Sequence, residues 1–199
     1  STTTVRLTLS SNTVVVDGSV TLTALVLDEN REPIKDVTVT FSDGTNEYTD
    51  DTGNDGKASI TYTASTVGEI ILTATYDEYS SSNTLTVNKH TSSINMSAES
   101  TTLYVDEDVE LSGYLLIDGV GVSGVTINVC GYSEEYGWGV VDTTITQSDG
   151  FYEYTGRSYT TGESIAPYKV AYNGDAKTTG SECNSIAINL VKIPTTLTI

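Results

Sequence analysis

Apolar and polar residues alternate along much of this chain. In one such stretch, Val20 and Leu22 lie on either side of Thr21, and Val39 and Phe41 repeat the arrangement further on. A period of two is typical of antiparallel strands with one buried face and one face in solvent. No stretch shows the period of about 3.6 residues that an amphipathic helix requires. The chain is therefore predicted to be all-β.

Turn residues separate the alternating stretches of the first half. Asp17-Gly18, Asp43-Gly44 and Asp55-Gly56 are Asp-Gly pairs, which favour tight turns. The strands are predicted near residues 5–10, 13–16, 19–27, 36–42, 57–64, 69–76 and 83–88. Seven short strands with turns at this spacing indicate an immunoglobulin-like antiparallel β-sandwich.

The strand pattern occurs twice and begins a third time. Residues 5–41 align with residues 94–129, and Val5 and Ile94 are 89 residues apart, close to the ~100 residues of one sandwich domain. We therefore predict two tandem immunoglobulin-like domains. Their limits are residues 1–91 and 92–195, with the start of a following repeat at 196–199.

The second copy carries two enlarged loops, one after its third strand and one in its last hairpin. Cys130 and Cys183, the only cysteines, each lie beside one of these loops. A disulfide would join the two insertions, whereas two free thiols would leave them unconnected. Both alternatives stay open.

The loop after the third strand of the second copy is rich in aromatic residues, including the only tryptophan, between two glycines. Such a cluster can form a stacking platform for a sugar or a hydrophobic anchor for a protein. Alternatively, the tryptophan covers the open end of a larger core. The candidate ligand-binding residues are Tyr132, Tyr136, Trp138 and Phe151.

Acidic residues crowd the stretch 43–55. Carboxylates at close spacing are the ligands that Ca²⁺ prefers, although this stretch does not follow the spacing of an EF-hand loop. It is interpreted either as a set of turn residues or as a calcium site, and calcium is the one cofactor considered. The candidate ligands are Asp43, Asp50, Asp51 and Asp55.

The excess of acidic residues disfavours two classes of partner, nucleic acid and anionic lipid. The chain has 27 acidic and nine basic residues and a formal net charge of −18. Its field repels nucleic acid and anionic lipid, and it favours a self-repelling monomer. No apolar run approaches the ~20 residues that cross a membrane, so we expect no direct membrane insertion by this segment.

Catalysis has no support in the sequence. His90, the one histidine, lies in the short linker between the two copies and is expected to be solvated. No nucleophile elbow, phosphate-binding loop or CxxC motif is present. We predict that this chain is not an enzyme.

Several stretches resemble the Big-type immunoglobulin-like repeats of surface adhesins, the invasin and intimin type. They are residues 22–28, 33–41, 55–58 and 168–175. Such repeats are also common in adhesin-like proteins of methanogenic archaea, which makes an archaeal source one expectation. Antibody-type domains carry a cysteine pair around a tryptophan, and the first copy lacks both residue types.

The resemblance implies an extracellular, cell-surface protein. It implies a rod-like stalk that presents a binding region in cell adhesion, with a surface protein or glycan of another cell as partner. The alternative is a carbohydrate-binding module, either a lectin-like tip or an accessory domain of an extracellular glycan-degrading enzyme.

Overall fold

The computed structural model describes residues 2–160 and 162–194, and every helix or strand element in these ranges is a β-strand. The predicted all-β fold with two sandwiches is confirmed. The chain divides into two compact units, Ser1–Lys89 and His90–Ile199. Residues 196–199, where a third repeat is predicted to begin, lie outside the described part. No helix in that part is long and apolar enough to cross a membrane.

The first unit consists of two sheets that face each other across one core. Its strands are β1 (Thr4–Leu9), β2 (Thr13–Val15), β3 (Ser19–Leu27), β4 (Thr38–Ser42), β5 (Glu47–Asp51), β6 (Lys57–Thr63), β7 (Gly68–Tyr76) and β8 (Tyr79–Asn88). One sheet has the order β1-β3-β6 and the other β2-β8-β7-β4-β5. Leu22 and Phe41, which the alternation placed inward, are fully buried.

Strand β5 is a correction to the sequence analysis, which placed no strand between residues 42 and 57. Glu47–Asp51 reads EYTDD and has no apolar alternation, because nearly every side chain along it is exposed. Its backbone nevertheless pairs with β4, from Thr38 opposite Asp51 to Ser42 opposite Glu47. An edge strand with two solvated faces gives no hydrophobic signal in the sequence.

The second unit repeats this plan. Its strands are β9 (Ser92–Ile94), β10 (Ser97–Ala98), β11 (Thr102–Tyr104), β12 (Asp108–Ile117), β13 (Val120–Gly121), β14 (Thr126–Ser133), β15 (Gly137–Ile145), β16 (Phe151–Arg157), β17 (Ser164–Tyr172), β18 (Ser181–Glu182) and β19 (Ile186–Val191). One sheet is built on β12 with β9, β10, β13 and β16, and the other has the order β11-β19-β17-β14-β15 with β18 beside β17. Tyr152 and Tyr154 point into the core.

Both units bury one threonine at the same place. Thr52 is 2% exposed and Thr146 is 4% exposed. The hydroxyl of Thr146 accepts the backbone N–H of Val125 at 3.0 Å, as that of Thr52 accepts the N–H of Val37 at 3.1 Å. The two hydroxyls hold the chain as it enters β4 in the first unit and β14 in the second.

Thr146→Val is expected to destabilise the second unit by about 1–2 kcal/mol, because the N–H of Val125 loses its acceptor while the volume of the side chain is kept. Thr146→Ser retains the hydroxyl and is the matched control. Urea denaturation of the two variants measures the difference. A loss for Thr146→Val no larger than the loss for Thr146→Ser would show that the hydrogen bond contributes no more to stability than packing of the methyl group.

Candidate functional site

The candidate site lies on the hairpin formed by β14 and β15 in the second unit. The two strands pair from Thr126 opposite Ile145 to Ser133 opposite Gly137, with a bulge at Val129 and Cys130. Gly137 has a φ of +71°, a left-handed conformation that glycine adopts without steric cost. This hairpin is therefore the first of the two enlarged loops predicted for the second copy. It carries three of the four predicted ligand-binding residues.

Tyr132 and Trp138 are brought together by this pairing. They are directly opposite each other, and their ring centroids are 5.5 Å apart in an edge-to-face arrangement. Trp138 is 39% exposed and Tyr132 is 40% exposed. Aromatic pairs in this geometry are stabilised beyond the area that they bury. The pair is a preorganised, half-exposed aromatic surface.

Lys169 on β17 completes this surface, although the sequence analysis did not select it. Its Nζ lies 4.7 Å from the centroid of the Trp138 ring and 2.8 Å from a carboxylate oxygen of Glu182. Its side chain is only 17% exposed, so the cation is partly desolvated between the ring and the carboxylate. The alternation along β17 could have shown that Lys169 faces outward, but not that it meets a tryptophan 31 residues earlier in the chain.

The other two predicted residues lie apart from this pair. Tyr136 is at the tip of the hairpin and is 82% exposed, and a hydrogen bond with Glu135 raises the pKa of its hydroxyl. Phe151 begins β16, in the opposite sheet, where its ring packs against Tyr114 at 5.4 Å. The structure therefore does not bring Phe151 together with Trp138.

Tyr159 packs against the core of the second unit. The Tyr159 ring packs on the buried ring of Tyr168 at 5.1 Å. Its hydroxyl lies 3.0 Å from the carbonyl oxygens of both Tyr132 and Pro167 and accepts the N–H of Tyr132 at 3.2 Å. A Cβ on Gly131 would lie 2.5 Å from the Tyr159 ring. The absence of a side chain at Gly131 thus makes room for this ring.

Cys130 and Cys183 are free thiols. Cys130 on β14 is opposite Lys169 of β17, and Cys183 donates its backbone N–H to Val170 on the same strand. Strand β17 therefore lies between them. Two strand spacings amount to about 10 Å, whereas bonded cysteines have Cα atoms about 6 Å apart. Burial raises the pKa of both thiols.

Two reactive thiols are expected when the protein is unfolded without a reductant, and slow reaction is expected in the native state. The physical reason is that burial disfavours the thiolate, which is the reactive form. Titration with a thiol-specific chromophore in the presence and absence of guanidinium measures both quantities. A count of zero in the unfolded protein would show that β17 moves aside and a disulfide forms.

Each of the four predicted calcium ligands accepts hydrogen bonds from its own set of donors. Backbone N–H groups of Asn46 and Thr45 and the Tyr62 hydroxyl surround Asp43 and lower its pKa to about 2. The other three side chains have their own donors: Asp50 accepts from Ser59, Asp51 from Thr38 and Asp55 from Lys57. Within the described ranges no three acidic, histidine or cysteine side chains form a group suited to a metal. The calcium site stays a prediction from the sequence.

His90 is not the solvated linker residue that the sequence suggested. Its Nδ1 lies 2.6 Å from a carboxylate oxygen of Asp118, and its backbone N–H donates to Lys177. The hydrogen bond from His90 lowers the pKa of the Asp118 carboxyl. His90 is the first residue of the second unit, and these bonds attach the start of that unit to the loops that contain Asp118 and Lys177.

Comparison with known proteins finds a family for the first unit. Residues 4–89 match the family described as bacterial Ig-like domain, group 1. A search of curated proteins finds no match. The matched family is bacterial, which gives no support to an archaeal source.

Several solved adhesin structures are similar to this chain. Invasin, described as a bacterial integrin-binding protein, is 20% identical with a TM-score of 0.53, over 96% of this chain and 40% of that one. InvE of Yersinia pseudotuberculosis is 11% identical with a TM-score of 0.45, over 94% and 58%. FdeC of Escherichia coli is 16% identical with a TM-score of 0.41, over 94% and 64%.

This chain therefore spans less than two thirds of the length of each of these structures. At 20% identity, the likeness to invasin shows a shared fold and nothing finer. The resemblance to Big-type immunoglobulin-like repeats is thus confirmed, since the first unit matches the bacterial Ig-like family and the chain shares the fold of invasin.

Proposed function

We propose that this chain is a rod-like stalk segment of an extracellular cell-surface adhesin, and that it presents a binding region to another cell. The observation that carries the proposal is the repetition of one complete sandwich, each copy with its own core. The junctions repeat as well, because Val87 and Ile94 are seven residues apart, as are Leu190 and Leu197. Equal short junctions favour a regular array over a flexible string.

The proposed partner is a surface protein or glycan of another cell. Invasin, whose fold this chain shares, is described as integrin-binding, which supports a protein partner of this class for the array as a whole. The proposal includes no catalysis. In its support, the one histidine is held by Asp118, and burial raises the pKa of both thiols, which disfavours a nucleophilic thiolate.

Small-angle X-ray scattering of the whole chain tests the stalk. A single compact domain of this length has a radius of gyration of about 16 Å. We expect a value well above this figure that does not change with salt, as for two domains joined end to end by a short stiff junction. A value near 16 Å, or a broad distribution typical of a flexible pair, would contradict the proposal.

Glycan binding is the second candidate function, and the exposed pair of Tyr132 and Trp138 favours it. Sugar rings stack on aromatic faces, while Lys169 and Glu182 can serve hydroxyl groups beside the ring. If this surface binds a glycan, Trp138→Ala is expected to abolish the signal on a glycan array. Phe151→Ala, which removes an aromatic ring from the opposite sheet, is the matched control and is expected to leave the signal unchanged.

A further inference from the structure

Strand β15 forms one edge of its sheet. Within the described residues it pairs with β14 alone, over the nine residues Gly137–Ile145. Three apolar side chains on this edge strand are exposed to solvent: Val140 is 59% exposed, Val141 is 42% exposed and Ile145 is 61% exposed. A long, apolar edge strand with unpaired backbone groups is a template for another strand.

The corresponding edge of the first unit is protected. Strand β5 has five residues, and three of them are Glu47, Asp50 and Asp51. The Asp50 carboxylate also accepts the N–H of Ser59, on β6 of the facing sheet, at 2.7 Å. Short length and charged side chains are the usual means of blocking edge-to-edge pairing. The two units thus share a fold but differ in whether this edge is blocked.

Side chains tie β15 to the facing sheet at Asp142 and Thr144. The Thr144 hydroxyl donates to the carbonyl of Glu153 on β16 at 2.6 Å, and the Asp142 carboxylate shares a hydrogen bond with the Tyr154 hydroxyl on the same strand. Towards the hairpin tip, a Cβ placed on Gly137 or Gly139 would meet no atom within 4 Å. Because the segment 137–142 pairs only with β14 among the described strands, its outer edge is accessible to another backbone.

We propose that β15 is a docking strand for an extended, lysine- or arginine-bearing segment of a partner protein, which adds to the sheet at residues 137–142. The acidic residues around β15 favour a basic segment as the occupant. Glu134 and Glu135 lie at the hairpin tip beside the open edge, and residues 94–199 contain 14 acidic and four basic residues, a difference of −10. Lys169, the cation on the adjoining surface, is already paired with Glu182.

A second copy of this chain is a poorer occupant. Each copy carries a net charge of −18, so pairing two β15 edges would bring two acidic hairpin tips into one sheet. Backbone hydrogen bonds would supply the affinity for a basic segment, and side chains beside Trp138 and Val140 would supply the selectivity. The inference goes beyond the stalk function, because it places a partner-binding element inside the stalk.

The test uses the whole chain and a synthetic peptide of alternating valine and threonine with lysine at both ends. We expect the peptide to slow amide hydrogen exchange in residues 137–142 and to leave residues 47–51 unchanged. The same peptide with its central residue replaced by proline, which cannot complete the ladder, is expected to give no protection. Val140→Lys is expected to weaken binding about fivefold relative to Val140→Thr, through like-charge repulsion with the peptide.

Three results would overturn the inference. Protection by the proline peptide equal to that by the parent peptide would show binding without strand addition. Equal protection by a peptide with glutamate in place of lysine would remove the argument from charge. A dimer that Val140→Lys dissociates, seen by analytical ultracentrifugation without any peptide, would make a second copy the occupant.

Discussion

Gly150→Ala is expected to lower the melting temperature of the second unit by about 15 °C and to leave the first unit unchanged. Gly150 has a φ of +81°, which costs a residue with a Cβ about 1–2 kcal/mol. That Cβ would also lie 2.3 Å from the carbonyl oxygen of Leu115, whose own N–H donates to Gly150. The backbone must shift, and a total loss of about 3–4 kcal/mol corresponds to this temperature change.

Gly119→Ala is the matched control, since Gly119 has a φ of +80° but no atom within 4 Å of the Cβ position. It carries the conformational cost alone, about 1 kcal/mol. Hydrogen exchange measured peptide by peptide during thermal unfolding follows the two units separately. Equal losses for Gly119→Ala and Gly150→Ala would show that the contact with Leu115 is relieved without cost.

The same argument applies to the first unit at Gly56, which follows Asp55 as Gly150 follows Asp149. Gly56 has a φ of +71°, its Cβ would lie 2.7 Å from the carbonyl of Val26, and its own carbonyl accepts the Val26 N–H. Each sandwich therefore uses an Asp-Gly turn to bring one backbone segment against another. The two turns are equivalent in the two units, since Leu115 donates to Gly150 as Val26 donates to Gly56.

Alternation predicted the cores well because a half-buried strand has apolar residues on its inner face and polar residues on its outer face, with a period of two. Val20, Leu22, Val39 and Phe41 all lie inward as expected. Glu47–Asp51 has no such alternation, because both of its faces are solvated and only its backbone is paired. Strand β5 is specified by its neighbours, and no residue pattern of its own distinguishes it from an acidic turn.

The candidate site was predictable in part for a related reason. Tyr132 and Trp138 belong to one hairpin, so their proximity depends on a local turn and register that the glycines and the aromatic residues already suggested. Phe151, Lys169 and Tyr159 depend on which strands of different hairpins become neighbours. That choice is made by packing of the whole sandwich, and a single sequence does not encode it at any fixed spacing.

Tyr159→Ala is expected to destabilise the second unit by about 3 kcal/mol, because it uncovers the ring of Tyr168 and leaves backbone groups of Tyr132 and Pro167 without their partner. The emission of Trp138, the only tryptophan, reports the change directly, since its strand partner Tyr132 is what Tyr159 holds. We expect an altered Trp138 emission at temperatures where the far-ultraviolet circular dichroism is still native. Tyr159→Phe retains the ring and is expected to cost only about 1 kcal/mol.

Gly131→Ala separates this packing role from a general effect on the hairpin. Alone, it is expected to cost about 2 kcal/mol, because the new Cβ and the Tyr159 ring cannot occupy the same space. In a chain that already carries Tyr159→Ala the obstacle is gone, so the second change is expected to add almost nothing. A double-mutant cycle from urea denaturation gives the coupling energy, expected to be about 1–2 kcal/mol. Strict additivity would mean that Gly131 is required by the bulge at Val129 and Cys130 and not by the ring of Tyr159.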